Sequence, residues 1–303
     1  MAERCWLLTG GSGQVGHAFS GLAMPQGVTL IAPDRAALDL ADLPDLDALI
    51  GERNIAAIIN CGAYTAVDRA ESEEALALAI NGEAPGRLAA AAARADIPVV
   101  HVSTDYVFDG RLDRPYHEDD PVAPQNAYGR TKLAGEQAVA ASGARHVILR
   151  TAWVVSDHGS NFVKTMLRLG EERDSLAVVS DQHGSPSAAA DIAAAIATIT
   201  VRLETDRDAP QGVFHFTNSG EATWHQLADF VFDRASRHGR RRPVVAAIPT
   251  SEYPTPASRP ANSRLDCSRI AGEYGIKPRP WQDAVGEIVD ALCTVNQQEG
   301  LRA

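Results

Sequence analysis

Lysine is nearly absent from this chain, with three in 303 residues against 25 arginines. With so few ammonium groups and a net charge of −11, the surface offers no broad cationic face. That excludes a general nucleic-acid binder and a protein held on anionic lipid by charge. The one basic run, His238-Gly239-Arg240-Arg241-Arg242, reads as a solvated helix end. Cys5, Cys61, Cys267 and Cys293 are scattered, with no Cys-x-x-Cys pair to make a zinc knuckle or redox motif, so buried thiols are expected. The histidines form neither His-x-His nor His-Glu-x-x-His, which removes the commonest metal-hydrolase pattern. No apolar stretch nears the roughly eighteen residues of a membrane span, and the run after Met1-Ala2-Glu3-Arg4 is too short for a signal peptide. A cytoplasmic protein is expected.

What is present is enough apolar sequence, 45% of residues, to bury a full core in one large or two unequal domains. Apolar runs at Cys5–Leu8, Val28–Ala32, Ala57–Asn60, Pro98–Val102 and His146–Leu149 alternate with helical patterns. That alternation predicts an α/β fold, a doubly wound parallel sheet covered on both faces. A helix is expected after an Asp42 N-cap. A second, over Glu71–Ala95, should break midway at Gly82, Pro85 and Gly86. Past Arg150 the pattern loosens into helices at Asn161–Arg173, Ala188–Leu203, Trp224–Arg237 and Trp281–Val295, with dense prolines from Pro243 to Pro260. The expected division is a dinucleotide-binding domain over 1–150 and a smaller substrate lobe over 151–303, some of whose segments return to the first domain.

The first apolar run leads into Thr9-Gly10-Gly11-Ser12-Gly13-Gln14-Val15-Gly16, a strand, glycine turn and helix of the kind that bring backbone amides to a pyrophosphate. The second run ends at Asp34, near the spacing of a ribose-binding acid. Asp34 would accept from ribose hydroxyls and Arg35 would face a 2′-phosphate, which leaves NAD and NADP both open.

One of the three lysines falls four residues after a tyrosine, in Tyr128-Gly129-Arg130-Thr131-Lys132. Chance gives roughly 0.06 such pairs in a chain of this composition. On a helix the two side chains share a face, so the ammonium of Lys132 can stand beside the phenol of Tyr128. Lowering a phenol from about 10 to about 7 takes roughly 4 kcal/mol, and one cation at about 5 Å supplies roughly 3 kcal/mol of it. Thr104, at the end of the fourth run, is expected to bring a second hydroxyl to the same substrate carbonyl.

With Thr65-Ala66-Val67-Asp68, Ser103-Thr104-Asp105-Tyr106-Val107-Phe108, Thr151-Ala152-Trp153-Val154, Asp181-Gln182-His183-Gly184-Ser185-Pro186 and Tyr253-Pro254-Thr255-Pro256 added, nearly the whole chain resembles the extended short-chain dehydrogenase/reductase family. It most resembles the dTDP-4-dehydrorhamnose reductase branch. The resemblance implies a Rossmann-like domain and NAD(P)H-dependent reduction of the C4 keto group of a nucleotide sugar, with NADPH the expected cofactor and NADH also accepted. It makes Tyr128 the proton donor, Lys132 the residue that orients the nicotinamide ribose and lowers the phenol, and Thr104 a positioning hydroxyl. Gly10, Gly13, Gln14 and Val15 would hold the pyrophosphate, Asp34 and Arg35 the adenosine ribose, and Asp39 and Leu40 the adenine. Ala63, Tyr64 and Thr65 would line the dinucleotide from the third strand, while Asp105, Trp153 and Lys164 would contact the sugar and diphosphate. A sugar-nucleotide dehydratase would carry an acidic pair where Tyr106 stands. A non-catalytic subunit of the methionine adenosyltransferase type would be free to lose Thr104, Tyr128 and Lys132, and all three remain. Some members of the branch pair subunits through magnesium held by glutamates. Alanine stands at those positions here, Ala18, Ala190 and Ala291, so no metal site is expected and the protein should be a monomer or a dimer built without magnesium.

Overall fold

A six-stranded, wholly parallel sheet runs through the centre of the computed structural model, which describes residues 4–300. Five strands arise from the apolar runs of the first half: β1 (Arg4–Thr9), β2 (Val28–Ile31), β3 (Ile55–Asn60), β4 (Val99–Thr104) and β5 (His146–Thr151). Trp6, Leu7, Leu8, Ile58 and Ile59 are wholly enclosed, as a sheet covered on both faces requires. Between the strands lie α1 (Gln14–Ser20), α2 (Leu46–Arg53), α3 (Val67–Ala70), α4 (Glu74–Leu78), α5 (Ala84–Arg94) and α6 (Ala127–Ala141).

The remainder contributes β6 (Val154–Val155), α7 (Phe162–Glu172), β7 (Ser175–Val179), β8 (His183–Gly184), β9 (Ser187–Ala188), α8 (Ala189–Thr205), β10 (Gly212–His215), β11 (Ala222–Thr223), α9 (Trp224–Ser236), β12 (Val244–Ile248), α10 (Ser268–Tyr274) and α11 (Trp281–Gly300). Two of these belong to the central layers: β10 adds the outer strand beside β5, and α8 lays Ile192, Ile196, Ile199 and Leu203 on the face that Trp6 and Leu8 present. A separate core joins α7, α9 and α11 through Met166, Val231, Phe232 and Val285. The sheet order β10-β5-β4-β3-β1-β2 reverses direction between β3 and β1. That switch point opens a crevice at the carboxyl ends of the two strands.

Two local expectations are corrected. The N-cap of α2 is Asp45, whose carboxylate accepts from the amides of Asp47 and Ala48; Asp42 lies too early, because a residue that precedes proline, as Leu43 precedes Pro44, is disfavoured in the helical region. The segment around Gly82 and Pro85 does not break. A π-helical turn over Ala79–Glu83 links α4 to α5, and Pro85 sits in the first turn of α5, where no backbone donor is required. In the basic run, Arg240, Arg241 and Arg242 pair with Glu171, Asp174 and Asp229, so the turn after α9 is fastened to its neighbours. Among the described residues no helix is long and apolar enough to cross a membrane.

Candidate active site

The loops leaving β1 and β3 meet at the switch point with no room for side chains. Gly10 has φ +70°, and a Cβ there would sit 2.5 Å from the amide nitrogen of Gly62. Only glycine meets both constraints. Gln14 then ties the turn to the C-terminal lobe. Its amide oxygen accepts from Ser156 Oγ (2.9 Å) and Asn161 Nδ2 (3.0 Å), and its nitrogen donates to the Val154 carbonyl at 3.4 Å.

A cleft of about 530 Å³ runs from this turn between the two lobes. Of the residues the sequence singles out, Gly10, Gly13, Gln14, Val15, Ala63, Thr65, Thr104, Asp105, Tyr128, Lys132 and Trp153 line it. A smaller recess of about 160 Å³, sharing Gly10, Ser12 and Ala63 with the cleft, is walled by Arg35, Asp39 and Leu40. Arg35 and Asp39 pair loosely there, at 3.5 Å. Three expected residues stand outside both spaces. Asp34 caps the following turn by accepting from the Ala37 amide, the Tyr64 hydroxyl donates to Glu73 Oε2 at 2.6 Å, and Lys164 Nζ donates to the Asp157 carbonyl.

Tyr128 and Lys132 share one face of α6, a helix capped by Asn126, whose Oδ1 accepts from the Gly129 amide. Gly129 is required because a Cβ there would lie 2.2 Å from the Tyr106 carbonyl oxygen. Lys132 is 2% exposed, and its Nζ donates to the Val102 carbonyl on β4 at 2.7 Å. Burial lowers this lysine to about 8, against the opposing pull of Glu136. The expectation for the phenol is corrected. Desolvation raises Tyr128 to about 12; the Thr104 hydroxyl lowers it and the Asp105 carboxylate raises it. The Lys132 ammonium is drawn to the strand by Val102 and exerts no comparable pull on the phenol. The Tyr106 ring meets Tyr128 edge-on at 5.5 Å.

Asp105 closes the cleft from below. Its Oδ1 accepts from Thr104, and burial raises the carboxyl to about 6 against the opposing hydrogen bonds of Ser263 and Thr104. Trp153 adopts a left-handed backbone, φ 49°, a conformation that costs about 1–3 kcal/mol for a side chain of this kind and collects at functional sites. Its ring stacks on Trp224 at 3.5 Å. Trp224 also borders a groove of about 560 Å³ with Phe162, Tyr253, Arg173 and Arg259. The cleft and the groove therefore meet across the paired indoles.

Sequence reasoning missed the groups beneath the cleft. Asn81, wholly buried in the π turn, accepts from the Tyr64 amide and donates to the Tyr64 carbonyl and Thr131 Oγ1, fixing the loop after β3 to α6. Glu136 takes two hydrogen bonds from Arg150 and a third from Ser103 Oγ. His101 stands behind Lys132. The available signal was a polar residue inside an apolar run: Asn81 among alanines, His101 among valines.

A parallel sheet with a glycine turn at its switch point, and a Tyr-x-x-x-Lys helix facing that turn across one cleft, defines an oxidoreductase of the extended short-chain dehydrogenase/reductase type. Residues 4–294 match the model of the RmlD substrate binding domain, and the chain belongs to that family. It is 44% identical over 286 residues to a dTDP-4-dehydrorhamnose reductase of Sinorhizobium fredii, covering 94% of this chain and 96% of the relative. It is 40% identical to that of Escherichia coli K12, over 95% and 98% of the two chains. A crystal structure of the Clostridium acetobutylicum dTDP-4-dehydrorhamnose reductase superposes with a TM-score of 0.88 at 36% identity, covering 95% of this chain and 99% of that one. The Bacillus anthracis enzyme, solved in complex with NADP, gives 0.86 at 33% identity, with the same coverage.

Proposed function

We propose that this protein reduces the C4 keto group of dTDP-4-dehydro-L-rhamnose with NADPH, in the cytoplasm, yielding dTDP-L-rhamnose. The observation that carries the reading is the convergence of Thr104, Tyr128 and Lys132 on the cleft that opens from the glycine turn. Residues 1–150 mainly hold the dinucleotide, and 151–303 mainly the sugar nucleotide. The site fits both. The Gly10–Gly62 contact leaves bare backbone where a pyrophosphate must approach, and the buried Asp105 carboxyl on the cleft wall can accept from a sugar hydroxyl beside its bonds to Thr104 and Ser263. Gly13, Gln14 and Val15 hold the diphosphate of the cofactor, and Arg35, Asp39 and Leu40 its adenosine end.

Bound NADPH supplies the hydride. Tyr128 donates the proton that the C4 oxygen takes up as it becomes a hydroxyl, Thr104 positions that oxygen, and Trp153 packs against the sugar ring. The aromatic and cationic groove beyond Trp224 suits the nucleoside diphosphate. Four free thiols suit a reducing compartment. The direct test is loss of reduced-nicotinamide absorbance when the purified protein meets dTDP-4-dehydro-L-rhamnose, run beside other nucleotide 4-keto sugars. No turnover with any of them would reject the reading.

Cofactor choice follows from one exposed guanidinium. Arg35→Ala should weaken NADPH binding about 10- to 100-fold, the scale of one charge-assisted contact, and leave NADH nearly unchanged, since only NADPH offers a 2′-phosphate. Titration with each nucleotide checks this, and equal losses would count against it. Assembly is expected to be independent of magnesium, because Ala18, Ala190 and Ala291 offer no oxygen ligand. Sedimentation with magnesium and with chelator should match, and a dimer that dissociates only on chelation would contradict the proposal.

A further inference from the structure

None of the side chains of Asp181-Gln182-His183-Gly184-Ser185-Pro186 lines the catalytic cleft, yet this motif builds one of its walls. β8 pairs antiparallel with β11, Gly184 with Ala222 and His183 with Thr223, and one step further along the ladder Gln182 comes opposite Trp224. Trp224 stacks on Trp153 at 3.5 Å with the two planes 9° apart, and Trp153 in turn lines the cleft. Gly184 makes room for that ring, since a Cβ there would lie 2.3 Å from Trp153 Cε2. The Ser187 amide donates to the Trp153 carbonyl at 3.0 Å, so the chain on both sides of Pro186 closes around this tryptophan.

A tryptophan with a left-handed backbone persists only where its surroundings fix it. Gly184 and Ser187 fix one side of Trp153, and the other side depends on where Trp224 stands. Gln182, 5% exposed, decides that position. Its Oε1 accepts from Trp224 Nε1 at 3.1 Å, and its Nε2 donates to Thr250 Oγ1 at 3.1 Å. An indole N–H only donates, so the amide cannot turn over without setting two donors together. Thr250 Oγ1 then donates to Asp181 Oδ1 at 2.6 Å, and the Thr250 amide donates to the same carboxylate. Thr250 opens the short turn Thr250–Glu252, which leads directly into Tyr253 on the wall of the groove beyond Trp224.

We propose that Gln182 is a positioning residue for the reduction. It holds Trp224 and, through the stacked indoles, Trp153, so one side chain sets both the ring that meets the sugar and the loop that carries Tyr253 along the groove. Gln182 acts through the ring it holds. An indole displaced by about 1 Å lets the sugar lean away from the hydride, and a misplacement of that size can cost about 100-fold in rate. The effect on turnover rests on the reductase reading, whereas the effect on the indole pair does not.

The chain has four tryptophans, and among the described residues only Trp153 and Trp224 stack indole on indole, while Trp6 and Trp281 meet phenylalanines. Their coupled transitions give a circular-dichroism couplet that is read in the protein alone and assigned by its loss in Trp153→Phe. Gln182→Leu should lose most of that couplet and lower kcat about 10- to 100-fold, with NADPH affinity unchanged. Thr250→Val should do the same in smaller measure, and it serves if the leucine variant does not fold. Thr250→Ser keeps the hydroxyl and should behave as the unaltered protein. In a Trp224→Phe background, which has no N–H for Gln182 to hold, Gln182→Leu should cost no further turnover. A full couplet in folded Gln182→Leu, a normal kcat beside a weakened couplet, or equal losses with and without the Trp224 N–H would overturn the proposal. If the couplet behaves as expected but no 4-keto sugar is reduced, the hold of Gln182 on the indoles stands and the reductase reading fails.

Discussion

Replacing Tyr128 with phenylalanine is expected to lower turnover about 10²–10⁴-fold, the scale of a general acid, while NADPH still binds. The variant keeps the ring, its edge contact with Tyr106 and the shape of the cleft, and removes only the proton. The phenol, raised to about 12 by burial, stays protonated at any working pH, and it remains a far stronger acid than the C4 hydroxyl it creates. On the proposed reading its role is that of a donor in place, not of an ionised base. Tyrosinate absorbance of the cofactor-free protein should confirm the sign: Tyr128 should ionise above the ordinary value near 10, and its signal should be missing from Tyr128→Phe. Near-normal turnover in that variant would remove Tyr128 from the mechanism.

The contrast between phenol and lysine shows where the sequence was legible. Helical spacing placed Tyr128 and Lys132 on one face of α6, and the glycine turn placed the crevice, because both depend on local geometry that a short stretch of chain determines. The charge balance of the pair was not legible. It depends on Val102, a strand residue thirty positions away that takes the ammonium, and on burial, which neither motif encodes. Lys164, Tyr64 and Asp34 teach the same lesson from the other side. Each sits in a matching motif, yet the Asp157 carbonyl, Glu73 and the Ala37 amide hold their polar atoms away from the cleft. Among the strands, β10 escaped notice because Gly212–His215 is four residues long and begins with glycine, leaving almost no apolar run to see.

Glu136→Ala is expected to cost about 3–5 kcal/mol of stability, because it strands a buried charge. Arg150 and Glu136 are paired at 2.7 Å with about 5% and 4% of their side chains exposed. The guanidinium lies over the Phe108 ring at 5.0 Å and beside His215, a neutral imidazole that burial and Arg150 lower to about 3. None of these neighbours can replace a carboxylate. Pairing Glu136→Leu with Arg150→Met removes both charges and keeps the volume, and it should restore most of the loss, since the pair itself barely repays its desolvation. Urea unfolding of the two single variants and the double variant gives the coupling directly. The double variant should still lose turnover, because Ser103 Oγ loses the carboxylate that anchors the end of β4, and Thr104 follows it into the cleft. If the double variant is as unstable as Glu136→Ala, the stranded charge is not the cause, and the packing around Phe108 carries the energy instead.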